Sequence, residues 1–287
     1  MTDIFLKIVN MSISASWIAL AVLLLRLLLK KAPKWITVLL WGIVAVRLIC
    51  PFNFESVMSL IPSTETISTD IMMDKTPTID SGIPIINNTI NPIISSSFAP
   101  DPVVSANPLQ ILIPILSIVW IMGIVILLVY TAISFLRVKR KIGTAVLLRN
   151  NIYQSENVVS PFVLGIINPK IYLSFNMNEQ DMEHVIAHEM AHIRRKDHLW
   201  KPLGFLILTI HWFNPLMWLG YVLLCRDIEL ACDEKVIKEL DTEQKADYSQ
   251  ALLTCSVNRR MIAACPLAFG EVGVKNRVKS VLNYKKG

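Results

Sequence analysis

Asn178-Glu179-Gln180-Asp181-Met182-Glu183-His184-Val185-Ile186-Ala187-His188-Glu189-Met190-Ala191-His192-Ile193-Arg194-Arg195 begins as a helix should. Asn178 can cap, and the acids that follow suit the positive end of the helix dipole. The helix is expected to run to about Arg195. Residues four apart share a helix face, so His188 and His192 can aim both imidazoles at one ion, with Glu189 beside them. This is the HExxH pattern of zinc proteases. With 5 His in 287 residues, random placement gives on the order of 0.003 occurrences of such a pattern, so accident is a poor explanation.

A catalytic zinc takes three protein ligands and keeps one position open. Downstream candidates for the third are His198, His211, Asp227, Glu229 and Asp233, with Asp197 beside His198. His198 would have to turn back from the helix end. Arg226–Glu234 reads as a second helix on which Glu229 and Asp233 share a face. That face can offer Glu229 to the metal and Asp233 to the far ring nitrogen of a ligating histidine.

Outward from this region the chain turns strongly apolar. Hydrophobic residues make up 53% and charged residues 17%, against about 25% charged in a soluble domain. Disordered and collagen-like classes are excluded. The apolar runs Phe5–Leu29, Trp35–Cys50 and Leu109–Leu136 predict three membrane helices. The first is expected to be a retained anchor. Lys30, Lys31 and Lys34 follow the first run, and Arg137, Lys139, Arg140 and Lys141 follow the third. Basic flanks stay inside, so the amino terminus and the 51–108 loop are expected outside and residues 137–287 in the cytoplasm. The loop agrees, with six acids against Lys75 and a net charge of −5. The overall +6 then reflects membrane-flanking bases, and direct nucleic-acid binding is not expected. Five cysteines without a CxxC pair read as reduced thiols.

The loop 51–108 shows no helical period and reads as irregular chain. Ala145–Leu148, Ile152–Gln154 and the Pro- and Gly-punctuated Ser160–Leu173 read as strands. Pro161 places the last at a sheet edge. Pro161, Phe162, Val163 and Gly165 are candidate substrate-binding residues, through addition of an extended peptide to that edge. The apolar run 203–224 poses a topological problem. If it crossed the bilayer, Glu229 would be separated from His188 and His192. Asn214-Pro215 at its middle predicts a break and a re-entrant hairpin that dips and returns. His211 within it is a candidate donor to a developing oxyanion.

Taken together, His188–His192, His211-Trp212-Phe213-Asn214-Pro215 and Glu229-Leu230-Ala231-Cys232-Asp233-Glu234 resemble the BlaR/MecR-type antirepressor membrane metallopeptidases. So do Ser160-Pro161-Phe162 with Gly165 and Pro169, and the tail Ala264–Gly270 with Val274–Val278. The resemblance implies a gluzincin fold at the membrane face, with His188, His192 and Glu229 on Zn2+. It also implies a signalling role, in which a winged-helix repressor encoded nearby is cleaved. In the β-lactam sensors of that family, a further membrane helix leads to an extracellular penicillin-binding domain. This sequence has no further apolar run and no Ser-x-x-Lys motif, so the resemblance does not carry a β-lactam signal over to it.

The expected architecture is therefore a mainly α membrane protein. It comprises two helices within 1–50, a loop 51–108, a third helix 109–136, and a cytoplasmic α+β zinc protease domain 137–287 with the membrane-dipping segment 203–224. The expected chemistry is zinc-assisted peptide hydrolysis. Zinc acidifies its water and polarises the carbonyl, while Glu189 moves the proton. Expected partners are the repressor, the bilayer and, compatibly, further copies of the chain. The basic segment Lys275–Lys279 reads as a solvated helix, or as a site of self-cleavage. Two other functions fit less of the pattern: a housekeeping membrane protease of the prenyl-protein-processing or quality-control type, and a non-catalytic signalling receptor.

Overall fold

A computed structural model of the chain describes residues 1–30, 32–50, 66–74, 76–98, 108–256 and 274–284. The tail motif 264–270, the loop segments 51–65 and 99–107, and Lys31 and Lys75 lie outside the described residues. Two units divide the chain. The first comprises Met1–Lys30, Leu40–Leu127 and Ile207–Gly220, and the second Lys31–Leu39, Leu128–Leu206 and Tyr221–Gly287.

The first unit is built on α1 (Thr2–Leu28), the greater part of α2 (Lys34–Ile49), α3 (Pro84–Phe98) and the first half of α4 (Leu109–Lys141). Among the described residues, α1 and α4 are long and apolar enough to cross a membrane. The second expected span is helical, but α2 has 16 residues, short of a full crossing without local thinning of the bilayer. Phe5, Leu6, Ile71, Leu109 and Ile113 form this unit's core. Asn10, buried on α1, exchanges two hydrogen bonds with the Ile67 backbone, at 2.8 and 3.0 Å.

The loop following residue 65 is more ordered than its sequence suggests. A short 3-10 turn spans Thr69–Met72 and α3 follows it. The absent helical period has a physical origin, since α3 buries none of its residues and so needs no apolar stripe. Local chemistry starts it instead. Pro84 supplies a pre-set first residue, and Asn91 clasps the Ile79 backbone with bonds of 2.9 and 3.0 Å.

The turn at residues 211–214 also belongs to this unit. Asn214 Nδ2 donates to Ser12 Oγ and Ser16 Oγ, both at 2.8 Å. Its Oδ1 accepts from Leu216 N at 2.9 Å, capping α7 (Pro215–Ile237), which opens with proline.

The second unit holds a four-stranded sheet: β1 (Val146–Arg149), β2 (Ile152–Ser155), β3 (Phe162–Leu164) and β4 (Lys170–Ser174), in the order β1-β2-β4-β3. β2 and β4 pair in parallel and the outer pairs are antiparallel. β3 is thus an edge strand, as Pro161 suggests. Gly165 closes its turn at φ 116°, where an added Cβ would stand 2.5 Å from the Asn168 carbonyl oxygen.

Ile152, Val163, Ile171 and Leu173 pack on Val185 and Ile186 of α5 (Glu179–Arg194). α8 (Thr242–Ser256) lies against α5, and α9 (Val274–Leu282) against α8. Lys196, at φ 61°, reverses the chain between α5 and α6 (Asp197–Ile210). α6 and α7 double back on each other. A Cβ at Gly204 would lie 3.4 Å from Leu224 and 3.5 Å from Tyr221, and Phe205 packs on the Tyr221 ring at 5.7 Å. The hairpin therefore returns Glu229 to the level of the start of α6.

Candidate metal centre

Asn178 Oδ1 accepts from Asp181 N at 2.7 Å, and this cap fixes the start of α5. Three turns later His188 and His192 point to the same side, their Nε2 atoms 3.1 Å apart. α7 supplies the third group. Glu229 Oε2 is 3.5 Å from His188 Nε2, and Oε1 is 3.5 Å from His192 Nε2. Ligand atoms about 2.0–2.2 Å from a tetrahedral zinc stand roughly 3.3–3.5 Å apart; both Glu229–histidine distances match this, and the two Nε2 atoms stand a little closer, at 3.1 Å.

The far ring nitrogens fix the tautomers. His192 Nδ1 donates to Asp197 Oδ2 at 2.8 Å. Tyr248 donates its hydroxyl to Asp233 Oδ1 at 2.7 Å, so its oxygen accepts from His188 Nδ1 at 2.9 Å. Asp233 Oδ1 is itself 3.3 Å from that nitrogen. In the neutral rings both Nε2 atoms are then lone-pair acceptors facing each other, with Arg277 Nη2 3.2 Å from that of His188. Glu229 Oε2, buried, makes no hydrogen bond among the described residues. Three acceptors converging in a buried space repel one another unless a cation lies between them, so the donor set fits a divalent metal such as zinc.

The surrounding charge agrees. Glu189, Glu229, Asp233 and Asp197 are buried carboxylates, against two buried cations, Lys201 and Arg277. The excess of negative charge would be offset by a divalent ion. Lys201 Nζ donates to Glu229 Oε1 at 2.7 Å. Burial opposes ionisation of Glu229, but Lys201 and the two rings hold its pKa well below the usual carboxylate range. Burial likewise works against Asp233, and Arg277 outweighs it and holds the carboxyl low. Half-buried Arg195 pairs with Asp197 at 3.3 Å on the outer side.

Cys232 Sγ lies 3.2 Å from His192 Nδ1 and 3.3 Å from Asp197 Oδ2. His192, Asp197 and Cys232 thus form a second convergent donor group. It competes for His192 through the nitrogen already bonded to Asp197, and burial raises the Cys232 thiol's pKa.

The remaining sequence candidates are not among these donors. Glu189 and Pro161 line a pocket with His184, Val185, His188, Tyr248, Ala251, Leu252 and Cys255. Phe162 and Val163 point their side chains into the sheet's two cores, so they can meet a peptide through backbone alone. Gly165 sits in the β3–β4 turn. His198 and Asp227 are buried but belong to neither donor group. His211 lies in the first unit, with Nε2 3.3 Å from the Leu48 carbonyl.

Lys201, Tyr248 and Arg277 did not emerge from sequence. Arg277 alone left a local sign: it interrupts the apolar stripe Val274, Val278, Val281 of a short helix.

Comparison with known proteins sets this geometry in a family. A family model described as BlaR1 peptidase M56 matches residues 6–281. The methicillin resistance mecR1 protein of Staphylococcus aureus is 29% identical over 138 residues, covering 45% of this chain and 24% of that protein. The regulatory protein BlaR1 of Bacillus licheniformis is 27% identical over 195 residues, covering 58% of this chain and 32% of that protein. The matched part is thus about a quarter to a third of those relatives' length.

Proposed function

The chain belongs to the BlaR1 peptidase M56 family, and we propose that it is an integral-membrane zinc endopeptidase of gluzincin type. Its role in this proposal is signal transduction, by cleaving or triggering cleavage of a cytoplasmic winged-helix transcriptional repressor. The observation that carries it is the convergence of His188 Nε2, His192 Nε2 and Glu229 with both histidine tautomers pinned from behind. The similarity to regulators of resistance supports the signalling role.

His188, His192 and Glu229 would hold the metal, which when bound supplies a Lewis acid that polarises the scissile carbonyl and activates water. The protein's own groups do the rest. Glu189 takes a proton from the attacking water on its carboxylate and passes it to the leaving amine nitrogen. Asp197, Asp233 and Tyr248 keep the imidazole lone pairs aimed inward. The backbone edge of β3, unpaired among the described residues and beside Pro161, holds the substrate extended. The proposal does not depend on His211.

In the topology proposed, α1, α2 and α4 lie in the membrane with the amino terminus outside. The α6–α7 hairpin dips into the inner leaflet, and the peptidase part is cytoplasmic. The basic flanks of α1 and α4 support that orientation.

The test is a cleavage assay with the purified full chain, zinc and the winged-helix repressor encoded nearest to it. Cleavage is expected with wild type and is expected to vanish in Glu189→Gln. Undiminished cleavage by a folded Glu189→Gln protein would overturn the proposal. Loss of full-length chain in the same reaction reports self-cleavage.

A further inference from the structure

Arg277 is the largest fully buried side chain among the described residues. A guanidinium in such a place is costly unless its surroundings repay the lost hydration. They do so at the metal centre. Arg277 Nε donates to Asp233 Oδ2 at 2.6 Å and Nη2 to Oδ1 at 2.5 Å, a two-point grip on one carboxylate. Nη2 is also 3.2 Å from His188 Nε2 and 3.5 Å from Nδ1. The guanidinium therefore bears on the His188 ring as well as on Asp233. Nη1 stands 3.4 Å from Glu229 Oε2.

We propose that Arg277 is a positioning residue of the metal centre, by which the carboxy-terminal helix α9 sets the geometry of ligands carried on α5 and α7. This rests on the metallopeptidase reading above. The guanidinium clamps Asp233. The clamped carboxylate holds the Tyr248 hydroxyl and faces His188 Nδ1, so the ring's tautomer is set from one side. The contact of Nη2 with the ring nitrogens holds the ring from a second direction. Lysine could keep the charge but not the two-point grip. The metal centre would then be complete only when α9 is docked.

The experiment uses full-length protein in detergent, loaded with cobalt(II) for its visible absorption and titrated with zinc against a chelator. Wild type, Arg277→Met and Arg277→Lys are compared, with helical content and melting recorded for each. For Arg277→Met, zinc affinity is expected to fall about 10–100-fold, as for other residues that orient metal ligands, with a changed cobalt band shape. Arg277→Lys preserves the buried charge and is expected to retain the fold. It should still weaken zinc and shift the cobalt bands. If Arg277→Met does not fold, the lysine variant decides. Wild-type affinity together with a wild-type cobalt spectrum in a folded variant would overturn the proposal. A wild-type protein that takes up neither metal would overturn the metallopeptidase reading itself, and this inference with it.

Discussion

Lys201→Met isolates the most exposed assumption about the site, that a metal-free centre is held together by buried ion pairs. Lys201 Nζ and Glu229 Oε1 are 2.7 Å apart, each side chain only 3% exposed. Methionine has a similar length and no charge. Breaking a buried pair by removing one partner costs about 3–5 kcal/mol, because the other charge stays buried, and here Glu229 keeps only the longer contact with Arg277 Nη1, at 3.4 Å. In a chain of this size, about 2 °C of melting temperature goes with each kcal/mol. The metal-free variant should therefore melt about 6–10 °C below metal-free wild type. Zinc changes the balance, since a divalent ion on Glu229 neutralises the charge that Lys201 no longer meets. The gap between variant and wild type should narrow when both are loaded. Thermal melts in detergent, with chelator and with saturating zinc, measure both differences. Equal melting temperatures of the metal-free proteins would refute the reasoning. So would a gap that zinc leaves unchanged.

Two further outcomes follow from neighbouring contacts. Tyr248→Phe removes the hydroxyl between His188 Nδ1 and Asp233 and should weaken zinc binding about 10–100-fold, read by chelator competition, without loss of helical content. Gly123→Ala would drive a Cβ into the Trp212 ring, whose Nε1 donates to the Trp120 carbonyl at 3.1 Å. Overpacking of this kind costs about 1–3 kcal/mol and should appear as lower thermal stability, with zinc affinity of the second unit retained.

What the sequence could reveal was set by how local each signal is. His188 and His192, and Glu229 and Asp233, are pairs four apart on single helices, so helical geometry alone puts each pair on one face. Asn214-Pro215 marked the hairpin because proline and its preceding residue disfavour continuous helix. Asp197 was a different matter. Its approach to His192 depends on one backbone reversal at Lys196, a positive φ that lysine does not advertise. Lys201, Tyr248 and Arg277 come from α6, α8 and α9, and only tertiary packing brings them to one place. The helix α3 was illegible for the opposite reason. It buries none of its residues, and without a buried face there is no periodicity to read.

Zinc X-ray absorption on the purified, zinc-loaded chain reads the ligand set itself. One zinc per chain is predicted, bound by two imidazole nitrogens and by oxygen at about 2.0–2.2 Å, with no sulfur. In Glu229→Gln the metal should be lost or greatly weakened. A sulfur shell at about 2.3 Å would place the ion with Cys232 in the group it shares with His192 and Asp197. That result, or wild-type zinc binding by Glu229→Gln, would contradict the account.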